Sequence, residues 1–179
     1  ILEIRKMAIA IREPIKKHRL MTIDPSINNL GMAIWDIPTQ ALLLWKLVHP
    51  KPDCRKNEYE KSVSMCDQLR EWAKSYAVTD ILMEVPEHWA VGGFEARETG
   101  SIAKLCFVCG LLYGMQYNPE IEKFEVVIPR GWKGQLPKEV VAKRLHKKYM
   151  AKYELDMIEL NENVMDAIGI GHFKLFGRV

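Results

Sequence analysis

The sequence lacks the features that mark secreted and membrane proteins. It has no apolar run long enough to cross a membrane, and residues 1–6 lack the apolar core of a signal peptide. Four cysteines among 179 residues are too few for a disulfide framework, and Cys106 and Cys109 lie at helical spacing within an apolar run. We therefore expect buried, reduced thiols in an intracellular, reducing compartment, and no contact with a membrane.

The chain also lacks a large excess of either charge. Its net charge is +3, so the distribution of charges is more informative than their sum. Basic residues recur over 1–19, where Pro14 interrupts any helix, and we interpret this stretch as a basic N-terminal extension, either solvated or in contact with a phosphate backbone. The rest of the chain, 20–179, is long enough for one domain with its own core.

A second basic stretch runs from Arg130 to Lys152 and contains a single acid, Glu139. Its basic residues are Arg130, Lys133, Lys138, Lys143, Arg144, Lys147, Lys148 and Lys152. Such a run is either a solvated helix face or a phosphate-binding surface. The presence of Trp132 and two glycines in the same stretch favours phosphate binding.

The alternation of apolar and turn-forming segments predicts an α/β protein. Strands are predicted at 20–24, 30–36, 41–48, 79–85 and 125–128, and helices at 58–76, 100–117, 137–149 and 161–176. Short links between the first three strands indicate an antiparallel meander, and the apolar strand after the first helix indicates a buried parallel strand. Two segments, 86–99 and 129–138, are predicted to be loops, the second leading at Pro137 into a helix.

Three carboxylates interrupt these apolar elements. Asp24 ends the first strand, Glu84 lies near the end of the fourth, and Asp166 lies within the last helix. A carboxylate in apolar surroundings is costly to bury without a partner. Asp24 alone could cap its own turn, but if the two strands are neighbours and the helix covers their edge, all three side chains converge. Because clustered carboxylates repel one another, a divalent cation would then stabilise them.

Oxygen ligands of this kind favour Mg²⁺, with Mn²⁺ as a substitute. Two such ions can clamp the attacking and leaving oxygens of a phosphodiester during hydrolysis. Acidic residues that hold metal, together with a basic stretch that holds a phosphate backbone, predict a nuclease.

Three segments resemble the RuvC family of Holliday-junction resolvases: Asp24-Pro-Ser with Asn29-Leu-Gly-Met-Ala-Ile, Ile81-Leu-Met-Glu84, and Asp166-Ala-Ile-Gly-Ile. The segment from Trp132 to Lys138 is similar to phage-type members of that family. The resemblance implies an RNase H-like fold, with a five-stranded mixed sheet flanked by helices. It further implies a homodimer, without a small-molecule cofactor, that binds four-way DNA junctions and nicks two strands symmetrically to leave 5′-phosphate ends. Such an enzyme would work in the cytoplasm of a bacterial or phage-infected host, or in an organelle or nucleoid.

The resemblance also assigns roles to individual residues. It implies that Asp24, Glu84 and Asp166 are catalytic metal ligands, in a site that holds two ions. Where the family usually has a fourth acid, this chain has Asn163, with Glu162 beside it, and either could complete the site. The other implied residues are Lys138 as a catalytic basic residue, and Lys133, Lys138, Arg130, Trp132, Lys143, Trp89 and Phe94 as DNA contacts.

Three alternatives remain open. Sugar-kinase and actin-like ATPases share a similar strand-turn-strand but need phosphate-binding loops and a longer chain. Other RNase H-like nucleases, which act on flaps, branched DNA or RNA–DNA hybrids, share the metal site but differ in substrate. A catalytically weak junction-binding protein would lack an acid, whereas all three acids are present here.

Overall fold

The structure, a computed structural model, describes residues 17–54, 57–86, 100–153 and 161–178. Its strands are β1 (Arg19–Asp24), β2 (Leu30–Asp36), β3 (Ala41–Val48), β4 (Asp80–Glu84) and β5 (Lys123–Val127). Its helices are α1 (Glu58–Ser75), α2 (Ser101–Tyr113), α3 (Pro129–Lys133), α4 (Lys138–Tyr153) and α5 (Glu162–Phe176), with 3₁₀ turns at Pro52–Cys54 and Gly114–Tyr117.

The strands form one mixed sheet in the order β3-β2-β1-β4-β5. The strands β1, β2 and β3 pair antiparallel, whereas β4 pairs parallel with both β1 and β5. This arrangement confirms the predicted meander with parallel strands beside it. It also places β1, which ends in Asp24, next to β4, which ends in Glu84, in the middle of the sheet.

Each face of the sheet carries its own apolar core. On β1, Ile23 packs into the core formed with α1 and α2, whereas Leu20 packs into the core formed with α4 and α5. Because side chains alternate along a strand, Asp24 falls on the same face as Leu20. On β4, Leu82 belongs to the α4–α5 core, so Glu84 falls on that face as well.

Helix α5 lies directly against the middle of the sheet. The Thr22 hydroxyl on β1 donates a 2.7 Å hydrogen bond to the main-chain oxygen of Ala167. On β2, Gly31 is paired with Asp24, and a Cβ at Gly31 would lie 1.9 Å from the main-chain oxygen of Asn163. Only a glycine at this position lets the first turn of α5 approach the end of β1.

The structure differs from the sequence prediction mainly between β5 and α4. The prediction of a loop over 129–138 is wrong for 129–133, which form α3. Two glycines suggested a loop, but Pro129 occupies the first helical turn, where proline is favoured, and the buried Trp132 anchors the helix to the core. The predicted helix 100–117 is α-helical to Tyr113 and continues as a 3₁₀ turn.

Part of the predicted organisation lies outside the described residues. Of the basic extension 1–19, the structure describes 17–19, and Arg19 already begins β1, so the division into an extension and a 20–179 domain stays a prediction. The loop predicted over 86–99 is described only at Pro86. Within the described ranges, no helix combines the length and apolarity needed to span a bilayer.

Candidate active site

Asp24 and Glu84 end two neighbouring parallel strands. The register pairs Ile23 with Met83, so the two carboxylates come next, on the same edge and on the same face of the sheet. Asp24 is 8% exposed and the Glu84 side chain is 15% exposed. The carboxyl edge of parallel strands is where α/β folds place their ligands.

Asp166 joins this pair from α5, as the sequence predicts. The hydrogen bond from Thr22 to the adjacent residue, Ala167, fixes this part of the helix over β1. Asp166 is only 6% exposed. It lies with Asp24 and Glu84 around one open cavity of about 470 Å³.

Two lysines line the same cavity and pair with these acids. The Lys133 Nζ lies 2.8 Å from Asp166 Oδ2 and 3.9 Å from Glu84 Oε2. The Lys138 Nζ lies 2.9 Å from Glu162 Oε2 and 3.5 Å from Asp166 Oδ2. The structure therefore brings the predicted acids and two of the predicted basic residues to one place.

The electrostatics of the cavity disfavour the ionised forms of Asp24 and Glu84. Burial, followed by repulsion from Glu84 and Asp166, raises the pKa of Asp24 to about 8, even though Lys133 and Lys138 lower it. Burial also raises the pKa of Glu84, against the opposing effect of Lys133 and a hydrogen bond from Trp132. Asp24 therefore holds a proton near neutral pH until additional positive charge enters the cavity.

The donor set fits a hard divalent cation. Three carboxylates and the amide of Asn163 line the cavity, and all can offer oxygen ligands. Among the described residues, no three His, Cys, Asp or Glu side chains converge tightly enough to hold an ion as they stand. The Lys133 ammonium bridges Asp166 and Glu84 instead, so a cation would have to take over these two contacts.

Asn163 and Glu162, the two candidates for the fourth position, point to different surroundings. Asn163 lines the cavity together with Asp24 and Asp166. The Glu162 side chain is 79% exposed, pairs with Lys138 and lines an adjoining cavity of about 200 Å³. The geometry therefore favours Asn163 as the residue that faces the acids.

Trp132 occupies a place that the sequence did not predict. It was expected to contact DNA, but it is 1% exposed and packs in the α4–α5 core, so its ring has no face available for a base. Its indole Nε1 donates a hydrogen bond to Glu84 Oε2. Gly169 on α5 makes room for the ring, since a Cβ there would lie 2.4 Å from it. Trp132 therefore orients the Glu84 carboxylate from within the buried core.

Two other expected DNA contacts, Arg130 and Lys143, do not line the cavity. Arg130 and Lys143 are exposed on α3 and α4, and their role in DNA binding stays a prediction. Trp89 and Phe94 lie outside the described residues.

Sequence reasoning missed several residues that shape the site. Gly31 was read only as part of a motif, although its missing side chain allows the approach of α5. Asn29 is likewise only part of that motif in the sequence, although in the structure it pairs with Asn163. Cys109 lines a small cavity of about 70 Å³ with Asp24 and Glu84, and burial raises the pKa of its thiol to about 12.

No family model matches the sequence, and no curated protein sequence matches it. The fold is nevertheless similar to solved structures. RuvC of Thermus thermophilus in complex with a Holliday junction substrate has a TM-score of 0.63 and 16% identity, over 86% of this chain and 90% of that one. Another T. thermophilus RuvC structure has a TM-score of 0.62 and 15% identity over the same shares. The fowlpox virus Holliday junction resolvase has a TM-score of 0.56 and 13% identity, over 88% of this chain and 97% of that one. The chain therefore has a RuvC-like fold of the RNase H-like type, as its sequence predicts.

Proposed function

We propose that this protein is a divalent-metal-dependent endodeoxyribonuclease that resolves four-way DNA junctions. The observation that carries the proposal is the meeting of Asp24, Glu84 and Asp166 with Lys133 and Lys138 around one open cavity. The cavity lies at the carboxyl edge of β1 and β4, in a fold shared with T. thermophilus RuvC, whose solved structure includes a Holliday junction substrate.

The three carboxylates and Asn163 are the residues that would hold Mg²⁺, or Mn²⁺ in its place, as two ions per site. When bound, such ions would supply an activated water and positive charge for the leaving oxygen. Hydrolysis adds water across the P–O3′ bond and leaves a 5′-phosphate and a 3′-hydroxyl. Trp132 keeps Glu84 oriented during this step by donating to its carboxylate.

Lys133 and Lys138 supply the positive charge that the scissile phosphate needs. Their ammonium groups contact carboxylates that are also the candidate metal ligands. When a cation compensates those carboxylates, the lysines can exchange them for phosphate oxygens, which form charge-assisted hydrogen bonds of similar strength. Arg130 and Lys143, both exposed on neighbouring helices, would extend this surface along the DNA backbone.

Symmetric nicks on two strands require two active sites, and we propose a homodimer formed through α1 and α2. The two helices expose a shared apolar patch, with Tyr59 61% exposed and Phe107 37% exposed. These two rings meet edge to face at 4.8 Å between centroids, and Val63 and Tyr113 extend the exposed surface. Exposed apolar patches of this kind mark protein interfaces.

The experiment that tests the proposal is cleavage of a synthetic mobile four-way junction in Mg²⁺. A linear duplex, a flap and an RNA–DNA hybrid of the same sequence serve as parallel substrates. We expect paired symmetric nicks in the junction alone, with 5′-phosphate ends. Equal cleavage of flaps or hybrids would retain the metal site but overturn the junction specificity, and binding without cleavage of any substrate would overturn the enzymatic proposal.

A further inference from the structure

Asn29 and Asn163 form a pair of amides beside the cavity. Asn29 lies in the turn that links β1 to β2, and Asn163 lies in the first turn of α5. The Asn163 Nδ2 lies 2.8 Å from Asn29 Oδ1 and 3.4 Å from the main-chain oxygen of Asn29. The pair therefore joins two elements that are 134 residues apart in the chain.

The main-chain contact fixes which way the Asn163 amide faces. A main-chain carbonyl oxygen can only accept a hydrogen bond, so the atom of Asn163 that faces it must be the nitrogen. The Asn29 Oδ1 at 2.8 Å accepts from the same nitrogen. Since an amide is planar, its oxygen then points to the opposite side of the group, away from Asn29.

The orientation of the Asn163 amide decides which of its atoms a cation among the acids would meet. It lines the cavity with Asp24, Glu84 and Asp166, and Gly31 lets its backbone lie against β2 beside Asp24. An asparagine can ligate a hard cation only through its carbonyl oxygen. If the amide turned over, it would present two N–H groups to the acids and to any cation between them.

We propose that Asn29 is a positioning residue, which holds the Asn163 amide so that its oxygen serves as a neutral ligand for the divalent cation. This inference rests on the proposed metal-dependent function and specifies the fourth ligand position of that site. Asn29 acts through Asn163 and does not itself touch the cation. Partners that orient a ligand in this way typically change metal affinity 10- to 100-fold when they are removed.

The test measures the Mn²⁺ affinity of the DNA-free protein. Electron paramagnetic resonance of the unbound ion gives the free Mn²⁺ concentration at each point of the titration. Asn29→Leu removes the side-chain acceptor, and we expect it to weaken Mn²⁺ binding about tenfold. Binding should be weakened and not abolished, because the longer contact from Asn163 Nδ2 to the main-chain oxygen of Asn29 remains. Asn29→Asp keeps an acceptor oxygen at the same place, and it should bind Mn²⁺ at least as tightly as the wild type.

The same substitution in an Asn163→Asp background distinguishes an effect on the orientation of the Asn163 amide from an effect on the folding of the turn. In Asn163→Asp both terminal atoms are oxygens, so the residue needs no partner to present one. We therefore expect Asn29→Leu to change Mn²⁺ affinity less than about twofold in the Asn163→Asp background. Thermal unfolding of each variant without metal reports whether the fold is retained. Asn29 is only half-buried and lines a second cavity, of about 460 Å³, on the side of His49 and Lys61, so Leu should be tolerated.

Two results would overturn the inference. Equal weakening by Asn29→Leu in both backgrounds would mean that Asn29 acts through the turn, and no weakening in the wild-type background would mean that it does not orient a ligand. The cleavage assay is read separately. If Asn29→Leu weakens Mn²⁺ binding in the wild type but not in Asn163→Asp, and the protein cleaves no DNA, this inference holds and the proposed nuclease activity is wrong. If the protein cleaves junctions but Asn29→Leu does not show this difference between the two backgrounds, the nuclease activity holds and this inference is wrong.

Discussion

Lys133 and Asp166 form an ion pair inside the cavity, with Lys133 Nζ 2.8 Å from Asp166 Oδ2 and 3.9 Å from Glu84 Oε2. The lysine side chain is 16% exposed, so these contacts are only weakly screened by water. The same ammonium group therefore stabilises the acids in the DNA-free protein and competes with a cation for them.

Replacing this lysine by an uncharged residue should make the DNA-free protein a better cation binder. We expect Lys133→Met to raise Mn²⁺ affinity by about tenfold, because loss of a unit charge near the acids removes on the order of 1 kcal/mol or more of competition. Calorimetric titration at alkaline pH, where protons compete least, measures the effect. Lys174→Met is the matched control, since Lys174 pairs with Glu125 on β5 and does not line the cavity. Unchanged or weaker binding in Lys133→Met would contradict the competition.

Lys133 and Lys138 should both contribute to the salt dependence of junction binding. Each phosphate contact that is lost lowers the slope of log K against log salt by about 0.9. We therefore expect the double variant Lys133→Ala, Lys138→Ala to show a slope shallower by nearly two. Fluorescence anisotropy at several salt concentrations gives the slope. A slope equal to that of the wild type would mean that the two lysines face away from the DNA.

Asp24 should govern both catalysis and the pH dependence of stability. Asp24→Asn should abolish cleavage while junction binding stays nearly intact. The pKa of Asp24 is about 8 in the folded protein against an ordinary value of 3.8, so the folded state binds the extra proton between these values. The wild type therefore loses stability as pH rises from about 4 to about 8, by up to a few kcal/mol.

The variant lacks this titration, which gives the measurement its control. Without divalent cation, the stability of Asp24→Asn relative to the wild type should increase over that pH range, as measured by urea unfolding. Mg²⁺ should then stabilise the wild type and leave the variant nearly unchanged. A constant difference at all pH values would show that Asp24 is not the group whose pKa is raised.

Gly31 should tolerate no side chain. A Cβ at this position would lie 1.9 Å from the main-chain oxygen of Asn163 and 2.6 Å from the main-chain nitrogen of Val164. Gly31→Ala must therefore push α5 away from β2. We expect a loss of several kcal/mol in stability or a folded protein without cleavage. Gly110→Ala on α2 is the control: a Cβ there meets nothing within 4 Å, and alanine should stabilise the helix by up to about 1 kcal/mol. Equal effects of the two substitutions would contradict the close approach of α5.

Phe107 should be part of the dimer contact. A charge in the centre of the α1–α2 patch would have to be buried, so Phe107→Glu should shift the protein towards a monomer in multi-angle light scattering. Val140→Glu serves as the control, because Val140 is 36% exposed but lies on α4, which packs on the opposite face of the sheet. A wild-type protein that is monomeric with and without DNA would contradict the dimer itself.

The local pattern of the chain predicted most of the fold. Strands alternate with amphipathic or apolar helices, and short polar links dictated the meander of β1 to β3. The carboxylates could be found from the sequence because an acid within an apolar element is costly and therefore uncommon. The loop over 129–138 was misread because glycines argue locally against a helix, whereas the burial of Trp132 that stabilises α3 is a long-range effect.

What the sequence by itself determined is the chemistry available to the protein: Asp24 and Glu84 at the ends of strands, Asp166 on the last helix, and two lysines in a basic stretch. Only the tertiary structure decided which partners those groups meet. It turned Trp132 inward onto Glu84, Glu162 outward to Lys138, and the Asn163 amide onto Asn29. The physical reason is that alternation along a strand and spacing along a helix fix which side a residue faces. The partner on that side depends on how closely α5 packs, which here depends on a missing Cβ at Gly31.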